Sequence, residues 1–530
     1  MTAAGLMILT AVVFVPSVNS DFVRWDDPDY VIDNKLLRDG PGLRKIWNPR
    51  EKENQQYYPL VFTTYWLEYQ AWGADARGYH VTNLVLHATN VVLVFALLLR
   101  CGFALPVAAG AAAVFALHPT QVPSVLWVAQ RKNTLSTVFY LAAFLLYLRH
   151  RRQGSWPAYG GCLLAFGAAL LSKTQTVTLP LSLLAADWML QAVGRLRRAS
   201  LAPLAARILP LLVIGLFAVR NTAAVERERG PRQPPTTPAQ RPLIAANAAW
   251  FYAGTFVAPV RLVPIYPLWN VVPTDPRWWL GLAAWPAALW AVLRTRRRLG
   301  PAPLWGLAHF FIALTPVLGL MPFNYLQFSL VADHYLYLPC IGGGLVLAVL
   351  LFRLAAGPTA SSRRRSAVSA VGIVLLSGCA VQSYLETRHW RDTEAFFRRT
   401  LARNPDCFPA NLNLGNWYRR QGRWTEALPL YRGAARLRPD SMQSFSSMVD
   451  AVARVEGVDR AVDACSERLR QAPGFYRAHM ERAQYLTRLG RTEEAKRDYE
   501  AVLRLAPQNS ISWDDARRKL EGFQFRPRQR

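Results

Sequence analysis

The chain has 530 residues and a net charge of +28, yet only 18% of its residues are charged and 52% are hydrophobic. A soluble protein of this length would carry more charge and would not repeat long apolar runs, so that class is excluded. Up to about residue 384, apolar blocks alternate with short arginine clusters, and beyond it the chain is polar with a helical pattern. We therefore predict a membrane domain over 1–384 and a soluble domain over 385–530.

Apolar runs that are long enough to cross a bilayer, or nearly so, predict about eleven transmembrane helices. They lie at 2–19, 78–100, 104–118, 134–149, 157–172, 175–192, 201–219, 279–294, 302–320, 334–354 and 367–384. A further run at 244–264 has prolines at its end and either spans or re-enters the membrane. The expected fold class is all-α, with a polytopic helical membrane domain followed by a helical solenoid.

Arginine clusters predict how these helices are oriented, because basic residues concentrate on the cytoplasmic side. If 2–19 runs outward and 244–264 does not cross, all four clusters are cytoplasmic; they lie at 149–152, 194–198, 294–298 and 361–366. The first loop, 20–77, and the C-terminal domain then face the extracytoplasmic side. A cleaved signal peptide is the alternative for residues 1–20, which lack a basic start. The arginine-rich, lysine-poor composition indicates a bacterial protein, and hence the inner membrane.

The C-terminal domain carries an internal repeat of 34 residues. Pro405, Pro439, Pro473 and Pro507 keep this step, and so do Ala427, Ala461 and Ala495. A 34-residue period with helix-ending prolines is typical of tetratricopeptide repeats, which are paired antiparallel helices. We expect this domain to bind a protein or peptide in its concave face, with a purely structural role as the alternative. The predicted extracytoplasmic location and the interspersed acids argue against nucleic acid as its partner.

Polar residues cluster in the external loops and at the adjacent helix ends. The first loop contains DFVRWDDPDYVIDN, in which Asp26 and Asp27 are adjacent. The segment GYHVTNLVLHATN then places Tyr79, His80 and Asn83 on one face of a membrane helix. Polar side chains at that depth are costly unless they face a bundle interior or water, so these residues either bind substrate or hydrogen-bond between helices.

Cationic side chains in later loops predict a phosphate-bearing partner. Arg131, Lys132, Lys173 and His334 lie in external turns or at external helix ends, against the positive-inside bias, and a generic basic flank is the alternative for each. His118, at another external helix end, is predicted to bind substrate together with Tyr79, His80 and Asn83. Acids and cations on one face suit the transfer of a sugar from a lipid phosphate, with a carboxylate as general base and cations at the departing phosphate. No phosphate-binding glycine loop is present for a soluble nucleotide donor, and the acids form no compact metal-ligand pattern.

The motifs together resemble the GT-C glycosyltransferases, and most closely the transmembrane and tetratricopeptide repeat O-mannosyltransferases with their bacterial relatives. The resemblance is carried, in chain order, by WDDPDYVIDN, YYPLVFTTYWLEYQAWG, GYHVTNLVLHATN, FALHPTQVPSVLWVAQRKN, LLSKTQTVTLP and ADHYLYLP, followed by the repeats. It implies inverting transfer from a polyprenyl-phosphate sugar to a protein hydroxyl on the extracytoplasmic side, with no metal or other cofactor. It also implies that the family's acidic pair falls on Asp26 and Asp27.

Departures from the family pattern leave a second interpretation open. Tyr58 stands where relatives often have arginine, Gln121 and Pro123 stand where they often have histidine and glutamate, and Asp333-His334 replaces an Asp-Arg element. A non-catalytic membrane scaffold, whose repeats recruit envelope proteins, is therefore the alternative function. A lipid-sugar translocator fits less well, because the polar residues crowd the outer third of the membrane.

Overall fold

The computed structural model describes residues 2–51, 53, 56–197, 200–228, 236–356 and 361–524, and these residues form helices, turns and irregular segments without a β-strand. They divide into two compact units, residues 1–399 and residues 400–530. The α-helices are α1 Ala3–Phe14, α2 Gly40–Ile46, α3 Pro59–Trp72, α4 Ala76–Arg100, α5 Leu105–Leu117, α6 Val122–Leu126, α7 Arg131–Gln153, α8 Trp156–Ser172, α9 Leu179–Ala192, α10 Leu201–Glu228, α11 Arg241–Val257, α12 Arg277–Leu299, α13 Pro301–Leu314, α14 Pro339–Ala356, α15 Ser362–Thr387, α16 Thr393–Arg403, α17 Phe408–Arg420, α18 Trp424–Leu437, α19 Met442–Val455, α20 Val458–Gln471, α21 Tyr476–Arg488, α22 Thr492–Leu505 and α23 Ile511–Gln524.

Every apolar run in the sequence overlaps a helix, which confirms the all-α class, but the count of eleven crossings is not confirmed. Among the described residues, four helical spans are long and apolar enough to cross a membrane: Ala76–Arg100, Ala202–Val225, Pro339–Ala356 and Ser362–Trp390. A fifth is possible if Leu105–Leu117 and Pro119–Leu126, bent by 53° at His118, make one span. The other apolar helices are shorter, such as Trp156–Ser172, or carry charges, such as Arg131–Gln153, and a short helix spans only in a thin or locally adapted membrane.

Helices α13 and α14 touch along their backbones at a pair of glycines. A Cβ atom on Gly342 would lie 2.3 Å from the Gly306 carbonyl oxygen and 2.8 Å from the Phe310 nitrogen. Small residues permit such close approach between membrane helices, where packing replaces the hydrophobic effect as the attraction. The contact fixes both ends of the connecting segment 315–338, which carries Asp333 and His334.

The C-terminal unit has the repeat architecture that the sequence predicts. Helices α17–α18, α19–α20 and α21–α22 form successive pairs, and α23 follows the last pair. Ala427, Ala461 and Ala495 are fully buried, and a Cβ atom on Gly415 would lie 2.8 Å from the Tyr431 ring. The recurring prolines fall between the pairs, because a proline lacks the N–H that a continuing helix would need.

Candidate active site

The two adjacent aspartates of the first loop have different surroundings. Asp27 is fully buried, and its two carboxylate oxygens accept hydrogen bonds from the backbone N–H groups of Val23 at 2.8 Å and Ala129 at 2.9 Å. Burial raises the pKa of Asp27 to about 8, although the two backbone donors lower it. Its contacts tie the first loop to the segment that precedes α7, so the geometry gives Asp27 a positioning role.

Asp26 is half-buried, and its carboxylate makes no hydrogen bond with any residue that the structure describes. Burial raises the pKa of Asp26 to about 6, while the positive charge of Lys132 lowers it. A carboxylate with free lone pairs and a pKa near neutrality can accept a proton from a substrate hydroxyl. Of the predicted acidic pair, Asp26 is therefore the better placed for chemistry.

Lys132, at the first turn of α7, closes one side of this site. Its Nζ atom lies 3.3 Å from the Tyr30 hydroxyl and 3.4 Å from Gln56 Oε1. The Tyr30 hydroxyl in turn donates a hydrogen bond to Gln56 Oε1 at 2.6 Å. Among the described residues, the first loop thus offers Lys132 neutral partners, and it places no carboxylate within ion-pair distance of this largely buried ammonium group.

Lys173 and His334 are joined to α7 through Asn133, the residue that follows Lys132. The Lys173 Nζ donates to Asn133 Oδ1, Asn133 Nδ2 donates to the His334 carbonyl oxygen at 3.1 Å, and Nζ lies 5.4 Å from the Tyr335 ring centroid. Burial, and then the charge of Lys132, hold the pKa of Lys173 well below its usual range. Burial, and then the charges of Lys173 and Lys132, do the same to the pKa of His334.

No carboxylate forms an ion pair with Lys173 or Lys132 within the part of the chain that the structure describes. Two neighbouring lysines of this kind repel each other, and both lose solvation when they are buried. An anion placed between them would relieve both costs, and phosphate oxygens accept hydrogen bonds from ammonium groups. The arrangement can therefore hold a phosphate beside Asp26.

Arg131 is predicted to bind the donor phosphate, and its guanidinium is fully buried and engaged by protein groups. It pairs with Glu68, donates to Asn83 Oδ1 at 2.9 Å and to the Tyr79 carbonyl oxygen at 2.9 Å, and lies 4.6 Å from the Tyr65 ring centroid. These contacts join α3, α4 and α7. The geometry favours a structural hub over a direct phosphate contact.

The predicted substrate-binding residues are also buried. Tyr79, His80 and Asn83 have no exposed surface, and Asn83 Nδ2 donates to the Val125 carbonyl oxygen at 3.3 Å. His118 lies 2.8 Å, through Nε2, from the Phe256 carbonyl oxygen and stacks on the Phe256 ring. For Asn83 and His118 these contacts fit the alternative of hydrogen bonding between helices.

Several residues of the site were not singled out from the sequence: Glu68, Tyr30, Gln56, Asn133 and Tyr335. Glu68 had a visible signal, since it is the one acid of the aromatic stretch YYPLVFTTYWLEYQAWG. An acid in an apolar interfacial helix requires a partner, and Arg131 is that partner. No group of histidine, cysteine, aspartate and glutamate side chains that could hold a metal occurs among the described residues.

Two segments of this chain match a known protein family, and most of its length is similar to curated proteins. Residues 380–441 and 476–509 match the tetratricopeptide repeat family. A protein O-mannosyl-transferase of Caenorhabditis elegans is 22% identical over 460 residues, covering 83% of this chain and 63% of the relative. Human protein O-mannosyl-transferase TMTC4 is 24% identical over 491 residues, covering 79% of this chain and 64% of the relative. The chain thus spans somewhat less than two thirds of the length of these curated relatives.

Among solved structures, ArnT from Cupriavidus metallidurans bound to undecaprenyl phosphate is 15% identical, with a TM-score of 0.36 over 88% of this chain and 80% of that chain. A shorter match to Drosophila melanogaster protein O-mannosyl-transferase Tmtc1 is 30% identical, over 33% of this chain and 21% of the relative. The resemblance to protein O-mannosyl-transferases with tetratricopeptide repeats, first indicated by the motifs, is confirmed by these sequence similarities.

Proposed function

We propose that this protein is a membrane glycosyltransferase of the GT-C type that transfers a mannose-like sugar from a polyprenyl phosphate to a protein hydroxyl on the extracytoplasmic side. The observation that carries the proposal is the placement of Asp26, a carboxylate without a hydrogen-bond partner among the described residues, beside Lys132. The similarity to curated O-mannosyl-transferases supports the reaction class.

In the proposed reaction, ionised Asp26 accepts the proton of the acceptor hydroxyl as general base. The hydroxyl oxygen forms a bond to the anomeric carbon of the sugar while the bond between that carbon and the phosphate oxygen breaks. The electron pair leaves with the polyprenyl phosphate, and attack opposite the leaving group inverts the anomeric centre. Asp27 holds the loop that carries Asp26 in place through its two backbone hydrogen bonds.

Lys132 and Lys173 are proposed to bind the donor phosphate and to stabilise the charge that develops on it as the bond breaks. Because both ammonium groups are buried and have lost solvation, an anionic ligand between them is favourable. His334 lies against Tyr335, with ring centroids 4.3 Å apart, and shapes the same side of the site. The bilayer takes the polyprenyl chain, and the repeats bind the acceptor protein.

The test is transfer of label from polyprenyl-phosphate mannose to protein in membranes that contain wild type, Asp26→Asn or Asp33→Asn at matched expression. Asp33 is an exposed acid of the same loop and serves as the control. We expect Asp26→Asn to abolish labelling and Asp33→Asn to retain it. If wild type labels nothing across a panel of lipid-linked sugars, the non-catalytic scaffold becomes the better interpretation.

Lys173 offers a separate test of the phosphate site. Lys173→Met removes the ammonium group but keeps an unbranched apolar side chain, so we expect the fold to persist and kcat/KM for the lipid donor to fall by about 10²-fold. Lys35→Met, at an exposed position of the first loop, is the matched control. Equal kinetics in the two variants would contradict a phosphate role for Lys173.

A further inference from the structure

The repeat unit contains a groove that crosses the first helices of its successive pairs. It has a volume of about 440 Å³ and is lined by residues of α17, α19 and α21, among them Asn416, Arg419, Arg420, Gln443, Ser446 and Arg477. We call it the arginine groove. Because it runs from one pair to the next, an extended chain laid along it would contact several repeats.

The charge of the arginine groove is not balanced by acids. Arg419 and Arg420 are exposed, and neither forms an ion pair with a carboxylate within the part of the repeat unit that the structure describes. Arg477 donates to Ser446 Oγ at 2.6 Å and pairs with Glu481 at 2.9 Å. The groove therefore presents at least two uncompensated guanidinium groups, each with donors to spare for a carboxylate.

A second groove in the same unit shows what a balanced surface looks like. It is larger, about 650 Å³, and its three arginines have acidic partners within it: Arg432 lies 2.7 Å from Glu456, Arg460 lies 3.9 Å from Asp463, and Arg470 pairs with Glu467. Its charges satisfy each other, so it does not select for an anionic ligand.

We propose that the arginine groove binds an extended acidic segment of a partner polypeptide. Arg419 and Arg420 would pair with side-chain carboxylates, since guanidinium and carboxylate groups match in geometry. Asn416, Gln443 and Ser447 line the same groove and offer amide and hydroxyl groups to the backbone of the bound segment. The inference gives a chemical class to the partner that the proposed function assigns to the repeats, and it does not depend on sugar transfer.

The experiment measures fluorescence anisotropy of a labelled peptide of alternating glutamate and serine, titrated with the full-length protein in detergent. Variants are Arg420→Gln, the pair Arg419→Gln with Arg420→Gln, and the control Arg470→Gln in the balanced groove. We expect Arg420→Gln to raise Kd about two- to fivefold and the pair to raise it about tenfold, as partly exposed ion pairs do. Arg470→Gln should leave Kd unchanged, and added salt should weaken binding to wild type.

Three results would overturn the proposal: no binding of the acidic peptide, equal binding of a lysine–serine peptide, or a loss in Arg470→Gln that matches the loss in Arg420→Gln. Thermal unfolding of each variant shows whether the fold is retained, and Arg420→Gln suffices alone if the double variant is unstable. Since the assay requires no sugar donor, a protein that binds the peptide but transfers no label would contradict the proposed transferase and leave this inference standing.

Discussion

Asp26 and Asp27 are neighbours in sequence, but a change from aspartate to asparagine should affect them differently. Asparagine at position 27 keeps a single side-chain oxygen, so one of the buried N–H groups of Val23 and Ala129 loses its acceptor, at a cost of about 1–3 kcal/mol. Asp26 has no such bond to lose. We expect Asp27→Asn to lower the melting temperature in detergent at about pH 4, where burial keeps both carboxyl groups protonated in the folded protein, and Asp26→Asn to keep it. At higher pH the raised pKa of Asp27 would offset the lost hydrogen bond, and Asp26→Asn should raise the melting temperature.

The change in melting temperature that we expect for Asp26→Asn follows from the raised pKa of Asp26. The folded protein holds a proton up to pH about 6, whereas the unfolded chain releases it near pH about 4. The free energy of unfolding therefore falls as the pH rises through this window, and a neutral asparagine removes that loss. At about pH 4, a lower melting temperature for Asp26→Asn than for Asp27→Asn would contradict the assignment of roles.

Activity should depend on pH with two limbs. Below pH about 6 Asp26 becomes protonated and cannot act as a base, so kcat/KM should fall about tenfold per pH unit on the acid side. On the alkaline side, Lys173 loses its proton well below the usual lysine pKa and no longer attracts the donor phosphate. The measurement is kcat/KM for the lipid donor across pH in wild type and Lys173→Arg. Arginine stays protonated, so an alkaline limb that does not move upward in this variant would contradict the role of Lys173.

The sequence reveals which individual residues are chemically unusual, but not which partners they contact. Lys132, Lys173 and Asp26 could be found because charges in external loops next to apolar helices are unusual. Arg131 belonged to the same pattern, yet its partner Glu68 lies 63 residues away in the chain. Only the packing of α3 against α4 and α7 shows that the Arg131 guanidinium is bound by protein groups. The ammonium group of the next residue, Lys132, has no carboxylate partner among the described residues.

The close contact between helices α13 and α14 predicts that a small substitution at Gly342 lowers stability. Gly342→Ala would place a methyl group against the Gly306 carbonyl oxygen, so the helices must separate, and we expect a loss of about 1–3 kcal/mol in stability. Because α14 begins at Pro339, just after Asp333 and His334, transfer activity should also fall. Gly160→Ala in α8 is the control, since its Cβ would meet nothing within 4 Å and alanine favours the helix. Thermal unfolding that is equally lowered in both variants would contradict the packing argument.

The helices also show which features of a fold are visible in sequence. The repeats could be predicted with their period, because each helix pair contacts mainly its neighbours and therefore repeats the same small and aromatic positions. Apolar runs located the membrane-unit helices equally well. They did not fix the number of crossings, because α8 and α13 are short, α7 carries charges and α5 bends at His118. Hydropathy measures the free energy of transferring one isolated segment to lipid. In the folded protein, these helices instead cover part of their polar surface by packing against each other.

The membrane topology of every segment after α11 depends on whether this helix, over Arg241–Val257, crosses the membrane. The segment after α11 turns back along it: the Tyr266 ring packs on Phe251 with centroids 5.0 Å apart, and Gln240 Nε2 donates to the Val271 carbonyl oxygen at 2.6 Å. Val271, beyond the end of the helix, therefore lies beside Gln240 at its start. Such a return makes no net crossing, and irregular backbone at membrane depth is tolerated where protein covers it. The geometry favours a re-entrant segment over a crossing at α11.

Single cysteines can test this topology, after the six native cysteines are replaced by alanine. Exposed positions report on the first loop (Lys35→Cys), the third arginine cluster (Arg297→Cys) and the repeat unit (Ile511→Cys). With eleven crossings, an impermeant maleimide labels Lys35→Cys and Ile511→Cys in intact cells, and Arg297→Cys only after permeabilisation. A full crossing by α11 would move every later segment to the other side of the membrane. Arg297→Cys would then be labelled in intact cells and Ile511→Cys only after permeabilisation, and the repeats would lie on the side away from the first loop. That outcome would separate Asp26 from an acceptor bound to the repeats, so the labelling pattern also decides whether one protein can present the acceptor to its own active site.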